Sequence, residues 1–390
     1  MIYLKMQILF TKILKCIALS ILLIIAGLAT TLLFFIIGES GIVVIVSMIV
    51  IILLFAWGFI GMLGLFRPKT FLIVFICFTS IIGISTVAYR KYDNYIRNIP
   101  VLEDQEVDLR KYEPFAENTK AVRLDEPSTL QLTGELPIID GATALYPLYA
   151  AFVQATYPEE EFLAKKEIVN GETTPIAYTW LLNENVDLIF CARPSQKQIR
   201  KAKNEGKQFM MNAIGREAFV FFVNKNNPVE ELTIEQIKGI YSGKITNWKE
   251  VGGKNDEIKA YQRPENSGSQ TMLEYIMEDT PIMPPLETIA AGMGDIINYT
   301  ANYKNYKNAI GYSFLFFATE MVKNNEIKLL KINGISPSSQ TIRSGEYPFT
   351  DDFYAIRTDT LNENVEKLIE WILSPQGQYL VEKTGYIPIK

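Results

Sequence analysis

Residues 233–253 read Thr-Ile-Glu-Gln-Ile-Lys-Gly-Ile-Tyr-Ser-Gly-Lys-Ile-Thr-Asn-Trp-Lys-Glu-Val-Gly-Gly. Apolar side chains recur at helical spacing from residue 234 to residue 241, which predicts a short helix. On both sides of this stretch, short apolar runs alternate with amphipathic segments, a pattern typical of an α/β domain. Strands are predicted at residues 186–191, 219–223, 310–314 and 353–356, and helices at 144–157, 234–241, 269–277 and 365–373.

Three loops rich in Gly, Ser or Thr run directly into predicted helices. They are Asp-Gly-Ala-Thr-Ala at 140–144, Asn-Gly-Glu-Thr-Thr at 170–174 and Asn-Ser-Gly-Ser-Gln at 266–270. The first N–H groups of a helix lack partners within the helix, so these residues either cap it or hold an anion. Arg263 precedes the third loop and suits an oxyanion, although a lone Arg on a loop more often forms a surface ion pair.

The stretch at 233–253 closely resembles a signature of the phosphate-binding proteins that serve phosphate ABC transporters. Further segments resemble the same family, in the family's order, at residues 141–147, 263–269, 309–312, 373–378 and 385–388. The resemblance covers residues 137–390.

This resemblance implies a two-lobed fold of the periplasmic-binding-protein type (type II). Residues 137–218 and 348–390 would form one lobe, and residues 219–347 the other. The chain would cross between the lobes near 217–223 and 344–349. An anion would lie in the cleft, and closure of the lobes around it would be the functional motion.

The same resemblance implies a set of ligand-binding residues. Thr143 and Ala144 would provide the first loop's contacts, Ala144 only through its backbone N–H. Thr173 or Thr174 would provide those of the second loop. The third loop would contribute Arg263, Ser267, Gly268 and Ser269.

One position departs from the family pattern. The family has an Asp that accepts the proton of hydrogen phosphate where this chain has Ala192, followed by Arg193. A buried carboxylate repels an anion without a proton, so its absence predicts that sulfate competes well with phosphate. Arg193 is predicted either as a second anion ligand or as a charge paired with a neighbour. Asp140 or Glu172 could provide another proton acceptor.

Three long apolar stretches occupy the first ninety residues. Residues 16–37, 41–66 and 70–89 are each long enough to cross a hydrocarbon core, and we predict three transmembrane helices. A cleaved signal peptide is the alternative for the first. Lys and Arg near the span ends predict a cytoplasmic amino terminus and an extracytoplasmic carboxyl-terminal domain on a multi-pass anchor in the cell (inner) membrane. The acidic, polar residues 91–136 are predicted to form a tether.

Composition argues against several functions. The chain has no His and no Cys or carboxylate cluster with metal-ligand spacing, so we expect no metal, no cofactor and no enzymatic activity. The net charge of −5 and the lack of a basic block predict no nucleic-acid partner. Cys191 is alone beyond the apolar region and is expected to be a buried structural thiol.

These observations together predict a membrane-anchored binding protein. It would capture phosphate or a related small oxyanion outside the membrane and deliver it to an ABC transporter permease. A sensor or interaction protein that signals through the membrane helices is the alternative. A phosphatase-type hydrolase is disfavoured because the sequence offers no metal constellation and no activated nucleophile.

Overall fold

The structure, a computed structural model, describes residues 101–102 and 108–389, with gaps at 166–167, 264, 287–302, 305–306, 322–324 and 326. In the first hundred residues it describes Tyr3, Met6, Gln7, Phe10, Thr11, Lys69, Ile73, Ala88, Lys91 and Tyr92. The three predicted transmembrane helices lie outside the described residues, apart from Ile73 and Ala88 in the third. Within the described part of the chain, no helix is long and apolar enough to span a membrane.

The chain divides into two units, Met1–Asn98 with Ile289–Asp295 and Ile99–Thr288 with Ile296–Lys390. All the elements named below lie in the second unit. The described strands are β1 (Val101–Leu102), β2 (Ile139–Gly141), β3 (Leu188–Ala192), β4 (Met210–Asn224), β5 (Glu231–Leu232), β6 (Lys259–Ala260), β7 (Tyr303–Lys304), β8 (Ala309–Phe314), β9 (Ile327–Leu329), β10 (Lys331–Ile332) and β11 (Thr350–Arg357).

The described α-helices are α1 (Tyr146–Thr156), α2 (Glu159–Ala164), α3 (Thr174–Leu182), α4 (Gln196–Asn204), α5 (Ile234–Tyr241), α6 (Gly268–Met277), α7 (Ser339–Arg343), α8 (Asn364–Ile372) and α9 (Pro375–Thr384). Short 3₁₀ turns lie at Leu109–Tyr112, Thr143–Leu145 and Trp248–Val251, and a π-helical turn lies at Phe317–Met321.

A mixed sheet of seven strands organises the unit. Its order is β2-β3-β11-β4-β8-β6, and β9 pairs with β4 beside that path. Strand β2 is parallel to β3, and β6 is parallel to β8. Strand β11 runs antiparallel to both β3 and β4, and β4 runs antiparallel to β8 and β9. The α/β class predicted from the sequence is confirmed.

Two hydrophobic cores lie along this sheet. The first core joins β2, β3 and β11 to helices α1, α8 and α9, with Phe152, Phe190 and Trp371 among its large side chains. The second core joins β4 and β8 to helices α5 and α6, with Tyr241 and Tyr312 among its large side chains. Each core is independently rich in aromatic groups, so each contributes a large buried apolar area.

Strand β4 passes through both cores. Ile214 belongs to the first core and Ala218 to the second. Strand β11 pairs along it, with a register irregularity between Phe353 and Tyr354. A Cβ on Gly215 would lie 2.3 Å from the Phe353 Cζ, so only glycine lets the Phe353 ring cross the strand here. The chain therefore passes from one core to the other between residues 214 and 218.

The stretch at 233–253 folds as helix α5 followed by a tight return. Thr233 and Gln236 form a reciprocal capping box, in which the Thr233 Oγ1 accepts the Gln236 N–H at 3.1 Å. The Trp248 side chain is buried, and its Nε1 donates to the Asn308 carbonyl at 2.9 Å. Gly252 then takes the left-handed conformation, with φ at 85°, and ends the turn. The predicted helix has the predicted bounds because its cap and its apolar spacing agree.

The structure differs from the predicted tether over residues 109–136. Leu109, Tyr112 and Phe115 pack against the first core, and Leu132 and Leu136 are buried within it. These apolar residues are irregularly spaced, so no periodicity marks them in the sequence. The segment that leads into the domain is therefore a packed part of its first core.

Candidate functional site

Helix α6 begins at the third predicted loop. Its N-cap is Ser267, whose Oγ accepts the Gln270 N–H at 3.2 Å. Gly268 and Ser269 follow in the first turn, where backbone N–H groups lack intrahelical acceptors and the helix dipole is positive. The cap hydroxyl is thus engaged within the helix, while first-turn amides remain available to an anion.

Helix α3 begins at the second predicted loop. Thr173 is its N-cap, but its exposed side chain makes no capping hydrogen bond. Thr174 is buried at the first helical position. The two threonines that the sequence offered as alternatives therefore differ, because only Thr174 is turned into the protein.

The beginnings of α3 and α6 meet at the end of strand β3. A Cβ added to Gly268 would lie 3.5 Å from the Ala192 Cβ and 3.5 Å from the Thr174 Oγ1. The same atom would lie 3.7 Å from the Phe314 ring at the end of β8. The structure thus brings together three predicted positions, 174, 192 and 268, from separate parts of the chain. We call this place the convergence.

Further contacts beside this convergence join the segment after β3 to the loop before α6. The Ser195 hydroxyl donates to the Asn266 Oδ1 at 2.7 Å, and Ser195 also caps helix α4. Lys197 forms an exposed ion pair with Glu265 at 2.8 Å. Asn266 has a φ of 67°, a left-handed conformation that Asn tolerates better than most residues. These contacts connect the end of β3 to the loop that precedes α6.

The first predicted loop lies against the second. The Ala142 N–H donates to the Phe190 carbonyl at 2.8 Å, which fixes the start of the loop on β3. The Thr143 Oγ1 donates to the Glu172 carbonyl at 3.3 Å. The carbonyl of Ala144 accepts a hydrogen bond from the Tyr386 hydroxyl. Thr143 and Ala144 are therefore held by the second loop and by the end of the chain.

The buried Asp140 side chain connects the first two loops by hydrogen bonds. It is fully buried, and its Oδ1 accepts the Gly141 N–H at 2.7 Å and the Glu172 N–H at 3.0 Å. Burial raises the pKa of Asp140 to about 6, against the lowering effect of these two N–H groups. The carboxyl thus positions both loops, and its service as a proton acceptor stays a prediction.

Arg193 forms an ion pair at the edge of the convergence. Its Nε donates to the Asp351 Oδ2 at 2.8 Å, and its Nη2 donates to the Asp351 Oδ1. The guanidinium also lies 4.8 Å from the centre of the Tyr275 ring. Of the two roles predicted for Arg193, this geometry matches the paired charge. Asp351 was missed by the sequence analysis, since the two residues are 158 positions apart.

The loop that carries Arg263 is anchored to the second core. The Arg263 N–H donates to the Gln270 Oε1 at 3.0 Å and to the Tyr312 hydroxyl at 2.9 Å. Gln270 belongs to the first turn of α6 and is itself buried. The backbone of Arg263 is consequently fixed relative to the amides of that turn. Gln270 and Tyr312 are positioning residues. They lie in the stretches 266–270 and 309–312 that the sequence analysis quotes, but neither was predicted as a site residue.

The described residues form an arrangement rich in hydrogen-bond donors. Two helix beginnings, one glycine without a side chain and one buried hydroxyl converge at one place, which suits a small oxyanion. Within the described ranges, no group of three His, Cys, Asp or Glu residues could hold a metal ion. Burial raises the pKa of the Cys191 thiol far above its ordinary value, so the thiol next to the site stays protonated.

Comparison with known proteins identifies similar chains. The family described as a PBP superfamily domain matches residues 135–376. The phosphate-binding protein PstS of Bacillus subtilis strain 168 is 27% identical over 169 residues, which cover 43% of this chain and 53% of that protein. PstS of Borreliella burgdorferi is 24% identical over 182 residues, which cover 45% of this chain and 64% of that protein. The chain thus spans less than two thirds of the length of these relatives.

Solved structures are also similar. A substrate-binding protein from Clostridium perfringens, solved with bound phosphate, is 25% identical, with 65% of this chain and 98% of that chain covered and a TM-score of 0.48. An ABC-type phosphate transport receptor from Vibrio cholerae is 21% identical, with 64% and 98% covered and a TM-score of 0.47.

Proposed function

The chain belongs to the PBP superfamily, and on that premise we propose that residues 137–390 bind phosphate or a related small oxyanion for delivery to an ABC-type transporter. The relatives that match it are described as phosphate-binding proteins. The observation that carries the proposal is the meeting of the α3 and α6 beginnings, where a Cβ added to Gly268 would lie 3.5 Å from the Thr174 Oγ1.

The ligand would be held mainly by backbone amides. Helix beginnings provide N–H groups and a positive dipole without adding a mobile charged side chain. In this arrangement Gly268 and Ser269 donate from α6, and Thr174 donates from α3 through its amide and hydroxyl. Thr143 and Ala144 complete the site from the first loop. Arg263 supplies the permanent positive charge for the oxyanion.

The proposed role is binding and not catalysis. A hydrolase of phosphate esters would require an activated nucleophile or a metal beside the anion. The Cys191 thiol, next to Ala192 in the sequence, is fully buried and is held protonated by its surroundings. The donors around Gly268 provide affinity without a group that attacks the ligand.

Titration of the purified chain with phosphate and sulfate tests the proposal. Wild-type protein should bind at least one of the two anions with a measurable heat. Replacing Arg263 with Ala should weaken binding by ~2–5 kcal/mol, because a desolvated anion loses its charged partner. The matched control is Arg343→Ala, which removes an exposed Arg paired with Glu382 at 2.9 Å. Equal affinity in the two variants would remove Arg263 from the site.

We further place this domain outside the cytoplasm on the predicted membrane anchor. The support is the sequence of residues 1–90, with its three apolar stretches. Deletion of those residues should give a monodisperse protein that binds the anion in the absence of detergent. A shortened protein that folds only in detergent would contradict this boundary.

A further inference from the structure

A cavity of about 540 Å³ lies where the first and second cores meet, and its lining includes none of Thr174, Ala192 and Gly268. Tyr386 of the first core and Ile342 of the second core line it together. Arg216 and Glu217 also line it, from the part of β4 that passes between the cores. This volume is within the ~300–1,000 Å³ typical of small-molecule sites.

Glu217 gives the cavity a buried carboxyl group. Its side chain is almost fully buried, and its Oε1 accepts the Phe316 N–H at 2.5 Å. Burial raises the pKa of Glu217 to about 8, and the single N–H group of Phe316 opposes this shift only in part. At neutral pH the carboxyl is therefore mainly uncharged and presents an O–H donor.

The remaining charges of the lining favour an anionic occupant. Arg216 lies in the wall and is paired with Asp352 at 2.8 Å. Two exposed lysines, Lys120 and Lys383, lie at the rim, where Glu320 is the opposing carboxylate. The titratable and charged groups that line the cavity with Glu217 are Tyr112, Lys120, Arg216, Glu320, Lys383 and Tyr386. Across the sheet, Asp351 lies opposite Glu217 and Asp352 lies opposite Arg216.

The walls are aromatic and apolar. The Phe316 and Tyr386 rings lie 4.7 Å apart between centroids, and both line the cavity. Tyr112 and Pro147 add further apolar surface. Such walls favour the burial of a hydrocarbon or aromatic body over that of a bare inorganic ion, which gains little from apolar surface.

We propose that this cavity is a second binding site, for a small organic anion with an apolar body. The body would lie against Phe316 and Tyr386, and the carboxylate or phosphate-ester head would accept from the Glu217 O–H and the rim lysines. The Tyr386 hydroxyl donates to the Ala144 carbonyl of the first loop. The occupant therefore contacts a residue that also holds the oxyanion site, although the two sites take different ligands.

Three probes that share one body test the charge of the occupant. Calorimetric titration of the full chain at pH 7 would compare 4-phenylbutyrate, 4-phenylbutanol and 4-phenylbutylamine, each in excess inorganic phosphate to fill the oxyanion site. The carboxylate should bind at least about tenfold more tightly than the amine, a difference of ~1.4 kcal/mol. Equal or tighter binding of the amine, or loss of carboxylate binding in phosphate, would overturn the proposal.

Variants locate the probe in the cavity. Affinity of the wild type for 4-phenylbutyrate should fall about tenfold from pH 7 to pH 9, because ionised Glu217 repels the head group. The Glu217→Gln variant keeps an N–H donor and should retain its affinity at pH 9. Lys383→Ala should weaken binding severalfold, and Lys249→Ala, an exposed lysine elsewhere, is the matched control.

A blocking variant covers the case in which Glu217→Gln does not fold. Ser339 is exposed at the rim of the cavity, so Ser339→Trp should close the entrance without disturbing either core. This variant should lose 4-phenylbutyrate binding and keep phosphate binding. Unchanged carboxylate binding in Ser339→Trp, or the same pH dependence in Glu217→Gln and wild type, would assign the probe to another place.

Discussion

Two buried carboxyl groups, Asp140 beneath the binding loops and Glu217 between the cores, have different surroundings. Asp140 accepts two backbone N–H groups, and burial raises its pKa to about 6. Glu217 accepts one backbone N–H group, and burial raises its pKa to about 8. Desolvation is the main cause of both shifts, and Asp140 has one more N–H donor than Glu217 to oppose it. At neutral pH Asp140 is mainly ionised and holds loops, whereas Glu217 is mainly neutral and can donate.

The largest expected effect is the loss of the acceptor at Asp140. Asp140→Ala should be less stable than Asp140→Asn by ~2–4 kcal/mol, because it leaves the amides of Gly141 and Glu172 without their acceptor. The free energy of unfolding in urea at pH 7 measures this difference. The same pair of substitutions at Glu217 should differ by ~1–3 kcal/mol, since one amide is affected. A larger difference at Glu217 would contradict the role given to the donor count.

The next effect is the pH dependence of stability, which differs between Asp140 and Glu217. Both carboxyls have a higher pKa in the folded chain than their ordinary values of 3.8 and 4.5, so each destabilises the fold as it is forced to ionise. The loss of stability runs from about pH 4 to 6 for Asp140 and from about pH 4.5 to 8 for Glu217.

Unfolding of the two amide variants at pH 6, 7 and 8 measures these windows. Relative to wild type, Glu217→Gln should gain ~2 kcal/mol between pH 6 and pH 8, at a slope no steeper than ~1.4 kcal/mol per pH unit. Asp140→Asn should gain little over the same range. Parallel curves for the two variants would show that the two surroundings do not differ as described.

A third carboxyl, introduced at residue 192, tests which anions the site selects. Ala192→Asp would bring a carboxylate next to Gly268 and repel an anion that has no proton to donate. Sulfate affinity should fall about tenfold, ~1.4 kcal/mol, while phosphate affinity changes less. Calorimetry with both anions from pH 5 to 8 measures this. Unchanged selectivity would mean that another acceptor operates or that residue 192 does not face the ligand.

The smallest effect compares two helix caps. Ser267→Ala and Ser338→Ala each remove a serine whose side chain accepts a backbone N–H, and each should cost ~1 kcal/mol of stability. Only Ser267→Ala should also weaken anion binding, because its helix begins at the convergence. Equal anion affinity in both variants would limit Ser267 to capping.

The sequence predicts the regular elements well where local signals agree. Helix α5 has the predicted bounds because a capping box and apolar spacing define the same residues. Strand β4 is longer than the predicted 219–223, since it starts at Met210. Its first part contains the polar residues Asn212, Arg216 and Glu217, which interrupt the apolar run that would predict a strand. Pairing with β11 and burial between the cores, which are long-range effects, make this part extended.

The candidate site is predictable only in part for the same reason. The Gly-rich loops mark the beginnings of α3 and α6, and the structure places Thr174 and Gly268 together. The ion pair of Arg193 with Asp351 and the support of Arg263 by Tyr312 depend on residues far apart in the chain. No local pattern encodes such contacts. The packing of residues 109–136 escaped prediction because their apolar side chains are irregularly spaced.

Strand β4 also determines how the domain unfolds. Because the same fifteen-residue strand supplies Ile214 to one core and Ala218 to the other, neither core keeps its full sheet if its partner melts. The two halves are thus thermodynamically dependent. A fragment cut within this strand would expose an unsatisfied edge, and heating of the intact domain should give one cooperative calorimetric transition for both cores.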